Sequence, residues 1–510
     1  MLMIDLKREA TTPLYRQVYD ELAHRIRAGE LKQGSRLPSV RSLAQRLRVS
    51  LITIVQAYDA LASEGLVHAA VGRGTFVGGA FAPSHFNDAK PGEAQAPTGE
   101  TDWHTTLPVY LRAPRISAMQ ALLRPALRDH IISLAGGTPD PTLFPLRALG
   151  RLWRRTMAVS DPRFLQYGTP QGDHNLRAWI AAHCGSLGFS ATPDEILITS
   201  GSQQAIDLVA RTFVGAGDYV LVESPTFPTA LDVFEGRGAK LLGVPMDADG
   251  MRVEITDILA ERYRPRLVYT VPTAQNPTGV TMNEDRRRRL AALARRHNLL
   301  IVEDDTCSEF AYDQDAPPAI KAFDTGGHVL FVKSFSKTVI PGLRVGCVVA
   351  RGIPLDRLME SKSVVDRFTS PLIQRTLWRY LSSRQYPRDL ETARKTYRRR
   401  RDAALRALEV SIPPGVTWTH PAAGFNLWVN LPDGMSAIEA FEEGLKAGVA
   451  CGLGDLFLPH TPPPSGLRVS FADKPESTIY EGIRRLGLAL KDLLSRVPGK
   501  DREGEFVTSV

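Results

Sequence analysis

Between about Ala126 and Ser495 the chain alternates helical stretches with short apolar runs, at Glu195–Thr199, Tyr219–Glu223, Leu267–Val271, Leu299–Glu303 and Val329–Val332. That rhythm leaves few architectures open. A run of four or five apolar residues suits a strand buried on both faces. Strands separated by helices pair in parallel, because a crossover between parallel neighbours must be long enough to carry a helix. The pattern therefore predicts an α/β domain over 126–495, with a mostly parallel sheet covered by helices. Its C-terminal part mixes helices with strands at Phe425–Asn430 and Gly466–Phe471, which reads as a smaller α+β lobe. Beyond it, 496–510 is a polar tail.

In such sheets ligands sit beyond the carboxyl ends of the strands. The residues there carry chemistry. Val329–Val332 leads into Lys333-Ser-Phe-Ser-Lys337, then Pro341-Gly-Leu-Arg344. A lysine between hydroxyls on a turn after a buried strand suits an amine that must lose its proton and bond to an aldehyde. Ser334, Ser336 and Arg344 would bring donors to a nearby phosphate. Together they are what a pyridoxal 5'-phosphate Schiff-base lysine needs. Bare Ser-Lys would read as a surface lysine; the added Ser and Pro-Gly-Leu-Arg weigh against that.

The other strand ends fit the same ligand. After Ile196–Thr199 come Ser200-Gly-Ser202-Gln203-Gln204 and a helix, small residues and donors at a helix N-terminus. After Val220–Glu223 comes Phe227, which could stack on a pyridine ring or simply be buried. Val268–Val271 leads to Pro272-Thr-Ala-Gln-Asn276-Pro-Thr-Gly279, where Asn276 can donate to a phenolic oxygen. Leu300–Val302 leads to Glu303-Asp304-Asp305, and a carboxylate such as Asp304 facing a pyridine nitrogen keeps it protonated. Nothing in the sequence indicates a metal site: Cys184, Cys307, Cys347 and Cys451 are scattered, without a Cys-x-x-Cys.

Residues 1–78 read as a separate unit. Leu14, Val18, Leu22 and Ile26 line one face of a first helix over Pro13–Ala28, ended by Gly29 and Gly34. A second helix starts at Pro38-Ser39, and a third at Ser50, with Ile54, Tyr58 and Leu61 turned inward. Two short strands follow around the basic tip at Arg73. Helix, turn, helix and wing is a plan for the major groove, although any three-helix unit could share it. Residues 1–80 hold 11 Lys and Arg against 7 Asp and Glu, enough to attract phosphates. From Gly78 the composition shifts to Ala, Pro, Gly, Glu and Thr without periodicity, and 79–125 is expected to be a flexible linker. The Arg286–Arg289 and Arg398–Arg401 runs fall in predicted helices and read as solvated faces before DNA sites. The charged N-terminus is unlike a signal peptide, and no apolar run reaches the ~20 residues of a membrane helix. A reducing cytoplasm is the expected setting.

Across nearly all of 1–78 the chain resembles the GntR-type winged-helix regulators, through Leu37-Pro-Ser-Val-Arg41-Ser-Leu-Ala44, Val49-Ser50, Ala57-Tyr58 and Glu64-Gly-Leu to Gly72-Arg-Gly-Thr-Phe-Val77. The resemblance implies double-stranded DNA as partner, contacted by Arg41, by Ser50, Thr53 and Gln56 on the recognition helix, and by Arg73 on the wing. Leu51 departs from it, standing where arginine is usual. Over roughly 130–475 the strand-end motifs resemble the fold-type I aminotransferases. They are closest to the aminoadipate/kynurenine-type group, through Ser133-Leu-Ala-Gly-Gly137-Thr-Pro-Asp140, Gln166-Tyr167-Gly and Gly466-Leu-Arg468-Val-Ser. That likeness assigns the aldimine to Lys337, the pyridine nitrogen to Asp304, the phenolic oxygen to Asn276 and stacking to Phe227. It gives the phosphate to Ser202, Gln203, Ser334, Ser336 and Arg344, with Tyr167 crossing from the partner of a homodimer. Arg468 would clamp a carboxylate, and Gly137 also belongs to the effector site. Where these enzymes carry a tyrosine after the aspartate, this chain has Thr306-Cys307.

A winged helix, a linker and an aminotransferase-like domain form the layout of the MocR regulators. The resemblance implies a transcriptional regulator sensing a small amino compound, or pyridoxal phosphate itself, through Lys337. A working aminotransferase with a DNA-binding appendage is the alternative, and a scaffold without cofactor is a third.

Overall fold

The computed structural model describes residues 14–28, scattered positions from Glu30 to Val77, Arg115, and then 130–158, 166–459 and 466–496. The chain divides into two compact units, Met1–Leu107 and Pro108–Val510.

In the first unit, helix α1 (Leu14–Arg27) buries Val18, Leu22 and Ala23 against Leu43, Ile54, Tyr58 and Leu61. The Tyr58 hydroxyl donates to Pro38 O at 2.7 Å, tying two distant parts of this small core. Strands β1 (Val67–Ala70) and β2 (Gly74–Val77) form an antiparallel hairpin in register from Val67–Val77 to Ala70–Gly74. Arg41, Ser50, Leu51, Thr53, Gln56 and Arg73 lie outside the described residues.

The second unit is built on an eight-stranded sheet. Its strands are β3 (Ile196–Thr199), β4 (Tyr219–Ser224), β5 (Lys240–Asp247), β6 (Gly250–Met251), β7 (Leu267–Thr270), β8 (Leu300–Asp305), β9 (Val329–Ser334) and β10 (Gly346–Val349), in the order β3-β10-β9-β8-β7-β4-β5-β6. Neighbours from β9 through β5 pair in parallel, as the alternation of strands and helices predicts. The sheet is nevertheless mixed. β10 runs antiparallel to both β9 and β3, and β6 antiparallel to β5. The short turn after Ser334 cannot hold a crossover helix, so β10 must return beside β9. β5 and β10 were not among the expected strands. Helices cover both faces, including α2 (Ser202–Phe213) and α3 (Glu284–His297).

The small lobe is a four-stranded sheet, β11 (Thr417–Trp418), β12 (Asn426–Asn430), β13 (Gly452–Leu453) and β14 (Gly466–Ser470), in the order β11-β12-β14-β13. Helices α4 (Gln385–Ser411) and α5 (Glu476–Arg496) pack with it around Leu427, Val469 and Ile483.

The basic runs match the expected solvated face only in part: Arg288, Arg289, Arg398 and Arg399 are exposed, whereas three of their neighbours turn inward. Arg287 is buried and donates to Met282 O, Pro272 O and Thr273 Oγ1, all at 2.8 Å. Arg400 and Arg401 are buried too, paired with Asp140 and Asp313 at 2.6 Å each. These arginines fasten helices to neighbouring segments, because a planar fork of donors satisfies several carbonyls at once. Arg115, within the stretch expected to be linker, is paired with Asp232 and Glu235.

Candidate functional site

The site lies where β7, β8 and β9 end and the small lobe begins. Lys337 is on the turn closed by the Phe335 N–H to Val345 O bond, 3.1 Å. Its Nζ donates to Gly137 O at 2.9 Å. Burial pulls the Lys337 amine below the usual lysine range, and the nearby Arg468 and Arg344 charges act the same way while the Cys307 thiol opposes them.

Asp304 occupies the penultimate position of β8 and is 2% exposed. The Tyr269 hydroxyl donates to its Oδ2 at 2.8 Å. Its Oδ1 is buried without a partner. Burial pushes this carboxyl up to about 7, with Asp305 and Glu223 adding to the rise and Tyr269 opposing it. A buried carboxylate with an open oxygen is a strong acceptor awaiting a donor.

Asn276 is held by a braced loop. Gln275 N–H donates to Val280 O at 2.9 Å, and the Gln275 amide reaches Glu223 Oε2 at 3.0 Å and Pro225 O at 2.8 Å. Glu223, buried and raised by burial, also accepts from Thr270 Oγ1 and the Val271 N–H. Asn276 Oδ1 accepts from Arg468 Nη1 at 3.0 Å, which leaves its NH₂ free to donate elsewhere.

Arg468, 7% exposed on β14, also donates to Ala135 O and lies 4.8 Å from the Phe457 ring centroid. Burial lowers its pKa to about 10. Among the described residues no carboxylate forms an ion pair with it. Gly137 comes this close to it only as glycine: its φ is +62°, and a Cβ would sit 3.5 Å from Arg468 Cζ and 3.2 Å from Asn426 Oδ1. Asn426 Oδ1 is itself buried without a partner.

The residues read from the sequence as a phosphate cradle come together at the start of α2. Gly201, with φ +90°, precedes it and leaves the helix N-terminus without a side-chain cap. A Cβ there would fall 2.7 Å from Arg344 Nη2. Arg344 donates to Ser336 Oγ at 3.3 Å and Ser200 O at 3.4 Å, while the Ser336 N–H donates to Ser334 Oγ at 3.3 Å. Uncapped N–H groups at Ser202 and Gln203, two hydroxyls and a guanidinium converge on one place. Such a set suits a phosphate.

These features fit pyridoxal phosphate: an orphaned carboxylate oxygen, an amine without a carboxylate partner, a free amide donor and an anion cradle. Phe227 is half-buried just ahead of the helix that follows β4, at the same edge. Tyr167 is 81% exposed, edge-on to Phe368 with ring centroids 5.8 Å apart. Cys307 is buried, and burial pushes its thiol up to about 11, so it stays a neutral, weak donor at pH 7.

Sequence reasoning missed Tyr269, Asn426 and Lys333. Lys333 donates to Asp305 Oδ2 at 2.8 Å, Glu309 Oε2 at 2.7 Å and Ser308 Oγ at 3.1 Å. Burial opposes its charge, yet the two carboxylates outweigh it and hold the amine well above the usual range.

The class I and II aminotransferase family matches residues 131–486, and the gntR family of bacterial regulatory proteins matches 14–77. Aromatic-amino-acid aminotransferase 1 of Thermococcus litoralis is 35% identical over 75% of this chain and 93% of its own. The probable rhizopine catabolism regulatory protein MocR of Rhizobium meliloti is 30% identical over 97% of both chains. The kynurenine aminotransferase structure from Pyrococcus horikoshii superposes with a TM-score of 0.74 at 37% identity, covering 77% of this chain and 98% of that one.

Proposed function

We propose that this chain, which belongs to the class I and II aminotransferase family and, with its GntR-family domain in front, to the MocR group of transcriptional regulators, binds pyridoxal phosphate at Lys337 and answers a small amino compound or the cofactor itself. Asp304 carries the reading: a buried carboxyl with one oxygen held by Tyr269 and the other left open. When bound, pyridoxal phosphate supplies an aldehyde that condenses with a primary amine and a ring that draws electrons from the carbon so attached.

The chain supplies the rest. Lys337, its pKa lowered by burial, reaches its neutral, nucleophilic form more readily than a surface lysine. Asp304 Oδ1 would accept a hydrogen bond from a protonated ring nitrogen, and the Asn276 amide would donate to the phenolic oxygen. Phe227 offers its ring for stacking. Ser202, Gln203, Ser334, Ser336 and Arg344 take the phosphate, with Tyr167 of a homodimer partner completing it. Arg468, beside Gly137, binds the acid group of the effector. Arg41, Ser50, Thr53, Gln56 and Arg73 hold double-stranded operator DNA. An effector that binds one arrangement of the two lobes better than another shifts their balance, and with it the spacing of two DNA-binding heads.

The Thr306-Cys307 pair favours sensing over turnover. Neither Thr306 nor the buried, neutral Cys307 is the tyrosine that would hydrogen-bond the phenolic oxygen, so fewer donors would tune the cofactor through a catalytic cycle.

The test uses full-length protein and DNA selected from a random pool. Lys337→Ala should lose the visible absorption of covalently held cofactor and the response to amino compounds, yet keep its DNA affinity. Arg41→Ala should keep the absorption and lose about 1–3 kcal/mol of DNA binding. A Lys337→Ala protein that answers an effector as the parent does would sink the sensing mechanism. Steady release of keto acid during an amino-acid titration would instead establish the aminotransferase.

A further inference from the structure

A cavity of about 640 Å³ opens between the two lobes of the large unit, and Lys337, Asp304, Asn276, Arg344 and Arg468 are not among its walls. Its volume is that of a small-molecule pocket. On the large-lobe side it is walled by Pro225, Met246 and the two flanks of the Asn276 loop, Thr273 before it and Thr278, Val280 and Thr281 after it. Trp418, His420 and Trp428 wall it on the small-lobe side.

The polar composition of these walls is one-sided. Among the described residues they include no lysine or arginine and three carboxylates. Two of those are already compensated: Asp247 by Arg286 at 2.6 Å and Glu284 by Arg288 at 2.6 Å. Asp315 forms no ion pair among the described residues. One uncompensated negative charge therefore lines the same cavity as an aromatic pair, Trp418 and His420, whose ring centroids lie 6.4 Å apart. Indole faces attract cations, and a nearby carboxylate adds to that attraction. An anion would meet Asp315 with no cation in the walls to receive it.

The cavity also adjoins the contact that joins the lobes. Thr419 Oγ1 donates to Thr278 O at 2.6 Å and accepts from the Trp428 N–H at 2.9 Å. Gly279 is pressed so close to the small lobe that a Cβ would fall 2.2 Å from Asn426 O. Trp428 pairs with Arg468 across β12 and β14, and its ring meets Phe457, which in turn lies against Arg468. An occupant would thus touch Trp428, the direct neighbour of the first site's arginine.

We propose that this cavity is a second small-molecule site, for an organic cation with an apolar or aromatic body. It stands on the geometry of the lobes and does not depend on the cofactor reading. The probe is benzyltrimethylammonium, which cannot condense with an aldehyde and has no acid group for Arg468. Calorimetric titration and tryptophan emission of the full-length protein should both show saturable binding. Benzyl alcohol, with the same ring and no charge, should bind at least roughly tenfold more weakly. Asp315→Lys should weaken benzyltrimethylammonium by roughly tenfold or more, and Ala422→Trp, which narrows the cavity, should weaken binding while circular dichroism stays that of the parent. The proposal is overturned by unsaturable binding, by equal affinity for benzyl alcohol, or by undiminished binding in Asp315→Lys, a surface change that can be read even if Ala422→Trp does not fold.

Discussion

Lys333 and Lys337 stand four residues apart, and Asp304 and Asp305 are adjacent, yet the two lysine–aspartate sets have opposite surroundings. Asp305 and Lys333 satisfy each other, with Glu309 and Ser308 filling the remaining valences. Among the described residues Asp304 and Lys337 have no such partners: the carboxyl keeps an open oxygen, and the amine rests on a neutral carbonyl. Along a strand, neighbouring side chains leave on opposite faces, so one residue step separates the two environments. Buried charges that are matched hold the structure together, whereas those left unmatched are shaped for something that arrives later.

Three substitutions sharpen or break this contrast. Lys333→Met should have the largest effect, costing about 3–5 kcal/mol in chemical denaturation, because Asp305 and Glu309 would be buried without their cation. Asp304→Asn should go the other way in cofactor-free protein. The folded carboxyl titrates near 7 and the unfolded one near the ordinary aspartate value. The folded state therefore binds the extra proton in between, and its stability falls as pH rises through that window. Asparagine removes the penalty, so the variant should gain about 1–3 kcal/mol at pH 8 and almost nothing at pH 4, while losing cofactor affinity. Lys337→Met should change the stability of cofactor-free protein least, by under about 1 kcal/mol and toward greater stability, since it removes a buried amine without a carboxylate partner. If Lys337→Met proved as damaging as Lys333→Met, the two lysines would be equivalent and the contrast would fail.

Much of this was legible in the sequence, for reasons that differ by residue. Lys337, Asp304 and Asn276 stand at the ends of apolar runs, where a polar residue is conspicuous, and the structure gathers them at one edge. Tyr269 was hidden because Leu267-Val-Tyr-Thr270 reads as a plain buried strand, and its acceptor lies 35 residues away. Lys333 was hidden by its neighbour: of two lysines four residues apart, the one on the turn beside Pro-Gly-Leu-Arg drew the chemistry away from the one at the end of the strand. Only the pairing of β8 with β9, which sets Lys333 opposite Asp305, shows what the other does. Within the arginine runs, Arg288, Arg289, Arg398 and Arg399 are solvated as expected, but local composition cannot tell them from Arg287, Arg400 and Arg401, which turn inward onto carbonyls and carboxylates. The reversed strand β10 had a readable signal, the short connection after Ser334, which was not converted into topology.

Arg468 rests on Asn276 Oδ1, Ala135 O and the face of Phe457, all neutral. In the proposed reading a ligand's acid group displaces no rival anion; it exchanges dipoles for a full charge. An amine lacking an acid group would leave that cation as uncompensated as it found it. Discrimination would then come by subtraction, through the penalty of a need left unmet, and a monoamine would be turned away without any steric barrier.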